Sequence, residues 1–101
     1  MDKSYWVYIL ASRKRGTLYV GVSNDLEARM HQHRTGQTKG FAWLYGCRRL
    51  VWFEMHHDIE EAIWREKAIK RWLRAWKVQM IEAENPDWHD LAADWFPGQE
   101  T

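Results

Sequence analysis

At 101 residues, of which 46% are hydrophobic and 29% charged, the chain predicts one soluble domain whose modest core needs no disulfide or metal. The net charge of +1 is the sum of a basic body and an acidic C-terminal end. The single cysteine, Cys47, excludes a disulfide framework, and the apolar run at residues 5–11 is too short to span a membrane, so we expect a cytoplasmic protein with no membrane partner.

A β-hairpin is predicted near the start of the chain. The segment YWVYILA, residues 5–11, is rich in β-branched and aromatic residues, as is typical of a strand. The basic turn SRKRG ends at Gly16, and TLYVGV returns as the second strand. Asn24 is a suitable N-cap and Glu27 completes a capping box, which predicts a first helix over residues 25–34.

A third strand and a long helical segment follow. The segment TGQTKG is typical of a loop, and RRLVWFEM predicts a strand. Asp58 and Glu61 form a second capping box, which predicts a helix from residue 59 to about residue 73 that bends near Arg74 and continues to the Asn85-Pro86 pair. The order strand, strand, helix, strand, helix, helix predicts an α+β fold, with a small three-stranded antiparallel sheet flanked by helices.

The first predicted helix places two polar side chains beside its apolar stripe. At about 100° per residue, Leu26 and Met30 lie on one side of the helix, and Arg29 and His33 flank them. Both polar residues therefore face the sheet. His31 points away from it, which excludes a zinc site formed by the segment HQH.

The second predicted helix carries an ion pair in its apolar stripe. Glu66 and Lys70 lie at the centre of the stripe formed by Ala62, Ile63, Ile69 and Leu73. A carboxylate in such a position is costly unless it is paired or binds a metal. Glu66 is thus either the i,i+4 partner of Lys70 or a metal ligand, and the periodicity alone does not separate the two.

Two tyrosines and a glycine on the hairpin complete a candidate site. Tyr8 and Tyr19 lie on neighbouring strands, whose pairing could bring the hydroxyl groups together. Gly21, at a strand end before a capped helix, allows a backbone or a ligand to approach closely. We expect these three residues, with the polar residues of the two helices, to converge on one face of the sheet.

The ordered set of motifs resembles the GIY-YIG nuclease family. The segment WVY is followed eleven residues later by YVG, then by EARMHQH, and then by a glutamate in REKAIKRW. The match is best with the small stand-alone bacterial members and extends from about Tyr5 to Trp88. The resemblance implies an endonuclease that hydrolyses DNA phosphodiester bonds with one divalent metal ion, Mg²⁺ or Mn²⁺, in DNA repair or recombination.

The resemblance also implies roles for individual residues. Tyr8 would be the general base for the attacking water, or would share that role with His33. Tyr19 would position water and phosphate, and Arg29 would hold the scissile phosphate with its planar fork. Glu66 would ligate the metal, and a lone glutamate suits magnesium, which keeps several waters.

The distribution of charge favours contact with a phosphate backbone. Residues 1–81 carry all 15 Lys and Arg against eight acidic residues, whereas residues 82–101 carry six acidic residues and no Lys or Arg. We assign residues 1–84 to the nuclease-like domain and residues 85–101 to an acidic tail, part of the same domain or partly disordered. No base-reading motif is present, so we expect structure-selective cleavage. The expected DNA contacts are Arg13, Lys14, Arg15, Lys67, Lys70, Arg71 and Arg74.

Eight tryptophans in this length are more than one small core accommodates. Some should lie on a surface that meets a second copy of the chain, a protein partner or stacked bases. The alternatives to an enzyme are therefore a non-catalytic nucleic-acid-binding module and a protein-interaction subunit. The presence of all five candidate catalytic residues together favours the enzyme.

Overall fold

A computed structural model of the protein describes residues 3–37 and 39–95. Within these residues, three antiparallel strands form one sheet in the order β2-β1-β3, and helices cover it. The elements in chain order are β1 (Tyr5–Ala11), β2 (Leu18–Ser23), α1 (Leu26–Thr35), α2 (Phe41–Leu44), β3 (Arg49–His56), α3 (Ile59–Arg71) and α4 (Arg74–Glu84). The predicted α+β fold and its element order are confirmed, with one addition: the segment before β3 contains the one-turn helix α2.

The two faces of the sheet pack against different helices because side chains alternate along each strand. One face, with Val7 and Ile9 of β1, packs against α3 and α4. The other face, with Tyr8 and Leu10, packs against α1, α2 and the segment that follows α4. None of the helices in the described part of the chain is both long and apolar enough to cross a membrane.

The N-cap of helix α1 lies one residue later in the chain than predicted. The N-cap is Asp25, whose carboxylate accepts a hydrogen bond of 3.1 Å from the backbone N–H of Ala28, so the assignment of Asn24 as the cap was wrong. The Ser23 hydroxyl accepts a 3.0 Å hydrogen bond from the Asp25 N–H and holds the chain there. Gly36 ends the helix with φ 76°, a conformation that favours glycine.

Helix α3 presents a different face to the sheet from the predicted one. Ala62 and Ile69 are buried as expected, but Ile59, Ile63 and Leu73 are exposed. The buried side also includes Arg65, whose guanidinium pairs with Glu54 at 3.0 Å and lies 5.3 Å from the centre of the Trp72 ring. An arginine whose aliphatic stem packs and whose charge is paired can occupy a buried face, which hydrophobic periodicity does not register.

Residues 85–95 pack on β3. Asn85 is buried, and its side-chain amide donates to the carbonyl groups of Val51 at 3.1 Å and His89 at 2.9 Å. Trp88 is fully buried, and the Leu91 N–H donates to the Leu50 carbonyl at 2.8 Å. This part of the expected tail therefore belongs to the core. Residues 96–101 lie outside the described residues.

Candidate active site

A tyrosine of the sheet and a histidine of helix α1 contact each other in the core between the sheet and α1. Tyr8 of β1 and His33 of α1 are both buried, and a hydrogen bond of 3.1 Å joins Tyr8 Oη and His33 Nε2. Leu26 and Met30 pack α1 on the sheet, and the helical repeat places His33 one turn beyond Met30, over Tyr8. The predicted inward orientation of His33 is observed.

Burial keeps both members of this pair neutral at pH 7. It raises the pKa of Tyr8 well above its usual range, and the nearby Tyr19 raises it further, while Arg29 opposes both effects. Burial also lowers the pKa of His33, and the positive charge of Arg29 lowers it again. The pair therefore holds one proton in its hydrogen bond, and His33 Nδ1 is buried without a hydrogen-bond partner among residues 3–37 and 39–95.

Gly21 makes room for the Tyr8 phenol. The two residues are direct partners in the β1–β2 ladder, and a Cβ at Gly21 would lie 2.6 Å from both Cζ and Oη of Tyr8. Real Cβ atoms do not approach other atoms so closely. The glycine is therefore required by the tyrosine that lies across its strand.

Replacing Gly21 with alanine is expected to destabilise the protein by about 1–3 kcal/mol, because the added methyl group forces a fully buried ring to move. Urea unfolding measures this change. The matched control is Gly40→Ala, where a Cβ would meet nothing within 4 Å and stability should be nearly unchanged. Equal stability of the two variants would contradict the steric explanation.

Tyr19 connects the buried pair to the surface. It is the β2 partner of Leu10, so its side chain lies on the same face as Tyr8, with ring centres 6.3 Å apart. Its ring centre is 5.6 Å from that of His33 and 6.4 Å from that of Phe41 on α2. The structure therefore brings the two tyrosines and the histidine together, and adds a phenylalanine that the sequence analysis missed.

Arg29 and Glu66 approach the same phenol from two helices. Arg29, half-buried on α1, lies close enough to lower the pKa of both Tyr8 and His33, and Glu66 contributes a smaller rise in the pKa of Tyr8. Helix α3 packs against the opposite face of the sheet, so Glu66 approaches the phenol from a different helix layer than Arg29. Helix α3 also contacts the edge strand β2.

The Glu66 carboxylate forms an ion pair with a lysine one turn later on the same helix. Lys70 Nζ lies 3.1 Å from Glu66 Oε2, with side-chain exposures of 50% for the lysine and 13% for the glutamate. Both sequence interpretations of Glu66 therefore remain compatible with its position, since a half-exposed ammonium group can leave. A metal at this carboxylate would take the place of Lys70.

The donor set suits a weakly coordinated hard cation. In residues 3–37 and 39–95 there is no group of three or more His, Cys, Asp and Glu side chains that could enclose a metal. One carboxylate that leaves most positions to water and phosphate oxygens fits Mg²⁺, which binds proteins in this way. It does not fit structural zinc, which takes four protein ligands.

Three of the expected DNA contacts have partners within the protein, one of them being Lys70, which pairs with Glu66. Arg15 forms a bidentate pair with Glu82, at 2.9 and 3.0 Å, and Arg74 donates to the carbonyl groups of Arg15 and Gly16 at 2.6 and 2.7 Å. These contacts fasten the hairpin turn to the start of α4. The other four expected contacts are solvent-exposed: Arg13, Lys14, Lys67 and Arg71.

The low pKa of His33 predicts that acid destabilises the protein. Because burial and Arg29 lower this pKa in the native state, the unfolded chain binds more protons below about pH 6.5, the ordinary value. The free energy of unfolding should therefore fall as the pH falls through that value. Urea unfolding between about pH 7.5 and 5 measures the slope.

His33→Gln should reduce that slope, and the matched variant His57→Gln, at an exposed position, should leave it unchanged. Equal slopes in the wild type and His33→Gln would mean that His33 titrates normally in the native protein.

Comparison with known proteins identifies the family of the chain. The GIY-YIG catalytic domain matches residues 4–79. A UPF0213 protein of Staphylococcus saprophyticus is 37% identical over 81 residues, which cover 80% of this chain and 96% of the relative. A UPF0213 protein of Staphylococcus aureus is 34% identical over 79 residues, or 78% of this chain and 95% of that protein.

A solved structure also matches. The solution NMR structure of a UPF0213 protein from Bacillus halodurans superposes with a TM-score of 0.55 and 26% identity, covering 90% of this chain and 97% of the other. The fold and the domain match thus define a small α+β protein of a nuclease family. The chain belongs to the GIY-YIG family, and its relatives are small stand-alone proteins.

Proposed function

We propose that the protein is a metal-dependent DNA endonuclease that hydrolyses phosphodiester bonds. The observation that carries this proposal is the buried hydrogen bond of 3.1 Å between Tyr8 Oη and His33 Nε2, with the guanidinium of Arg29 beside it. A neutral phenol that is hydrogen-bonded to a neutral imidazole can accept a proton on one side and release its own on the other. This is the chemistry that activates a water molecule.

Tyr8 and His33 act as one base in this proposal. The attacking water gives a proton to Tyr8 Oη while the phenol proton moves to His33 Nε2, so no free phenolate forms in a buried site that disfavours it. This step requires the imidazole tautomer with hydrogen on Nδ1. The positive charge that then appears on His33 is balanced by the bound phosphate.

Arg29 binds the scissile phosphate, and Tyr19 orients the phosphate and the attacking water. The arginine is half-buried and near the phenol, where its planar fork can donate two parallel hydrogen bonds to phosphate oxygens. Negative charge that develops on those oxygens in the transition state strengthens the contact. Arg29 thereby places the phosphorus atom within reach of the water at Tyr8.

Arg29→Lys should cut DNA about 10- to 100-fold more slowly than the wild type, although it keeps the charge, because an ammonium group lacks the bidentate fork. Single-turnover cleavage measures the effect. Arg13→Lys, on the exposed hairpin turn, is the matched control and should cut normally, since only charge matters there. A normal rate for Arg29→Lys would remove Arg29 from the site.

Glu66 holds the divalent ion in this proposal. When bound there, Mg²⁺ would supply Lewis-acid stabilisation of the negative charge that develops on a phosphate oxygen. Glu66 would supply the anionic ligand, and Lys70, released from the ion pair, would then be free to contact the DNA backbone.

The DNA substrate is selected by structure, and the proposed setting is DNA repair or recombination. The exposed basic residues of the hairpin turn and α3 suit phosphate contacts, which carry no sequence information. No recognition helix or other base-reading element occurs among the described residues. Shape and strand pairing then decide which DNA is cut.

Incubation of the purified protein with branched, flapped, duplex and single-stranded DNA, with and without magnesium, tests the proposal. We expect cleavage that depends on the metal and differs between these structures. Binding without cleavage would identify a nucleic-acid-binding module instead. A cleavage consensus shared by random duplexes would contradict selection by structure.

A further inference from the structure

A row of aromatic rings leads from the buried tyrosines to the protein surface. From Tyr19 it continues to Phe41, with ring centres 6.4 Å apart and ring planes inclined by 24°. Phe41 contacts Tyr45 at 4.5 Å between ring centres. Phe41 and Tyr45 are 48% and 52% exposed, so the row ends in solvent. We call these two residues the aromatic platform.

The platform is held in place by the local fold. Phe41 and Tyr45 are four residues apart on the turn of α2, which places them on the same side, and the Tyr45 N–H donates to the Phe41 carbonyl at 3.0 Å. Trp43 anchors the turn, because its ring lies against Gly36 at the end of α1 and under the guanidinium of Arg48 at 3.9 Å. These contacts hold the backbone of the turn that carries the two exposed rings.

The charge around the platform favours a polyanion. Residues 28–53, which contain the platform and Arg29, include five Lys and Arg and no Asp or Glu; one of the five, Arg34, pairs with Asp90, and four positive charges remain. An aromatic surface in a basic environment is typical of single-stranded nucleic acid binding, in which bases stack on rings and phosphates meet cations. A basic protein partner would be repelled from the same surface.

We propose that the aromatic platform is a stacking subsite for an unpaired DNA base next to the scissile phosphate. The inference rests on the proposed function, since the row of rings starts at the candidate catalytic residues. Inside a duplex both faces of every base are covered by its neighbours, so away from the duplex ends a base must be unpaired to stack on Phe41. The enzyme would therefore prefer DNA with unpaired nucleotides beside the cut.

Equilibrium binding without divalent metal tests the subsite apart from cleavage. Fluorescence anisotropy with the full chain compares a single-stranded oligonucleotide and a blunt duplex of the same sequence. Phe41→Ala and Tyr45→Ala should weaken single-strand binding about 5- to 150-fold, the range expected for loss of one stacked base. Duplex binding should change less than about 2-fold, because only phosphate contacts remain there.

Two variants keep the test specific. Leu44→Ala removes a side chain from the same turn that is 75% exposed, and it should leave single-strand binding unchanged. Phe41→Trp keeps a stacking ring and should retain the affinity. An equal loss for Leu44→Ala and Phe41→Ala, or an equal loss of single-strand and duplex binding, would overturn the subsite.

A base analogue then detects the stacking directly. The fluorescence of 2-aminopurine falls when it stacks, so an oligonucleotide that carries it should dim on binding the wild type and remain bright with Phe41→Ala. No dimming at any position of the analogue would also overturn the proposal. Duplex cleavage in magnesium without single-strand binding would overturn the subsite alone, whereas stacking without cleavage of any DNA would overturn the proposed function.

Discussion

Glu66→Gln is expected to lower magnesium-dependent cleavage by at least about 1,000-fold while the melting temperature of the metal-free protein changes little. The amide keeps the size of the side chain but loses the charge that holds a hard cation. The ion pair with Lys70 adds little stability, because the lysine is half-exposed and such pairs contribute about 0–1 kcal/mol. Metal-free DNA binding should persist. A nicking assay and a thermal melt measure the two effects.

Two controls separate the metal-ligand role from a structural one. Glu61→Gln changes an exposed carboxylate on the same helix and should cut DNA normally. Lys70→Gln removes the ion pair but keeps the Glu66 carboxylate, so its melting temperature reports the contribution of the pair alone. If Glu66→Gln were strongly destabilised and still cut DNA, Glu66 would be a structural partner of Lys70 and not a metal ligand.

Tyr8→Phe is expected to lower the cleavage rate by about 100- to 10,000-fold, because it removes the hydroxyl that receives the proton of the attacking water. His33 Nε2 would lose its hydrogen-bond partner at the same time. A buried polar atom left unpaired costs about 1–3 kcal/mol, so the variant should be less stable but folded. Single-turnover cleavage of the folded variant, at saturating enzyme, gives the rate of the chemical step.

Tyr5→Phe is the matched control for Tyr8→Phe. Tyr5 lies on the same strand but packs with the opposite core, three residues from Tyr8, so loss of its hydroxyl should not affect cleavage. A Tyr8→Phe variant that cuts at the wild-type rate would show that His33 alone, or the metal-bound water, supplies the base.

Local chemistry made several features of the protein predictable from its sequence. The strand segments are apolar and β-branched, Asp58 caps α3, and the Asn85-Pro86 pair marks the end of α4, because each of these depends on near neighbours in the chain. The inward orientation of His33 followed from the helical repeat, as did its position on the same side as Leu26 and Met30. Which side chains of the hairpin and α1 point toward the sheet was therefore predictable from near neighbours in the chain.

Packing between distant segments was not predictable in this way. Periodicity placed Ile59 and Ile63 on the buried side of α3, but both are exposed. Arg65 lies on the buried side instead, because its charge is paired with Glu54 of β3. The acidic composition of residues 85–95 did not decide between a segment of the same domain and a partly disordered tail, and Asn85 and Trp88 are buried against β3. In both cases a hydrogen-bond or ion-pair partner far along the chain removed the penalty of burying a polar group.

By itself, the sequence determined the element order, the α+β class and the residues of a family motif, because these depend on side-chain type and spacing. Only the tertiary structure decided that Tyr8 contacts His33, that Gly21 must lack a side chain, and that α3, the helix of Glu66, packs on the face opposite α1. It also decided that Phe41 continues the row of rings from Tyr19. The physical reason is that pKa shifts, steric limits and ring contacts arise from groups brought together across the sheet, and spacing along one chain does not encode those distances.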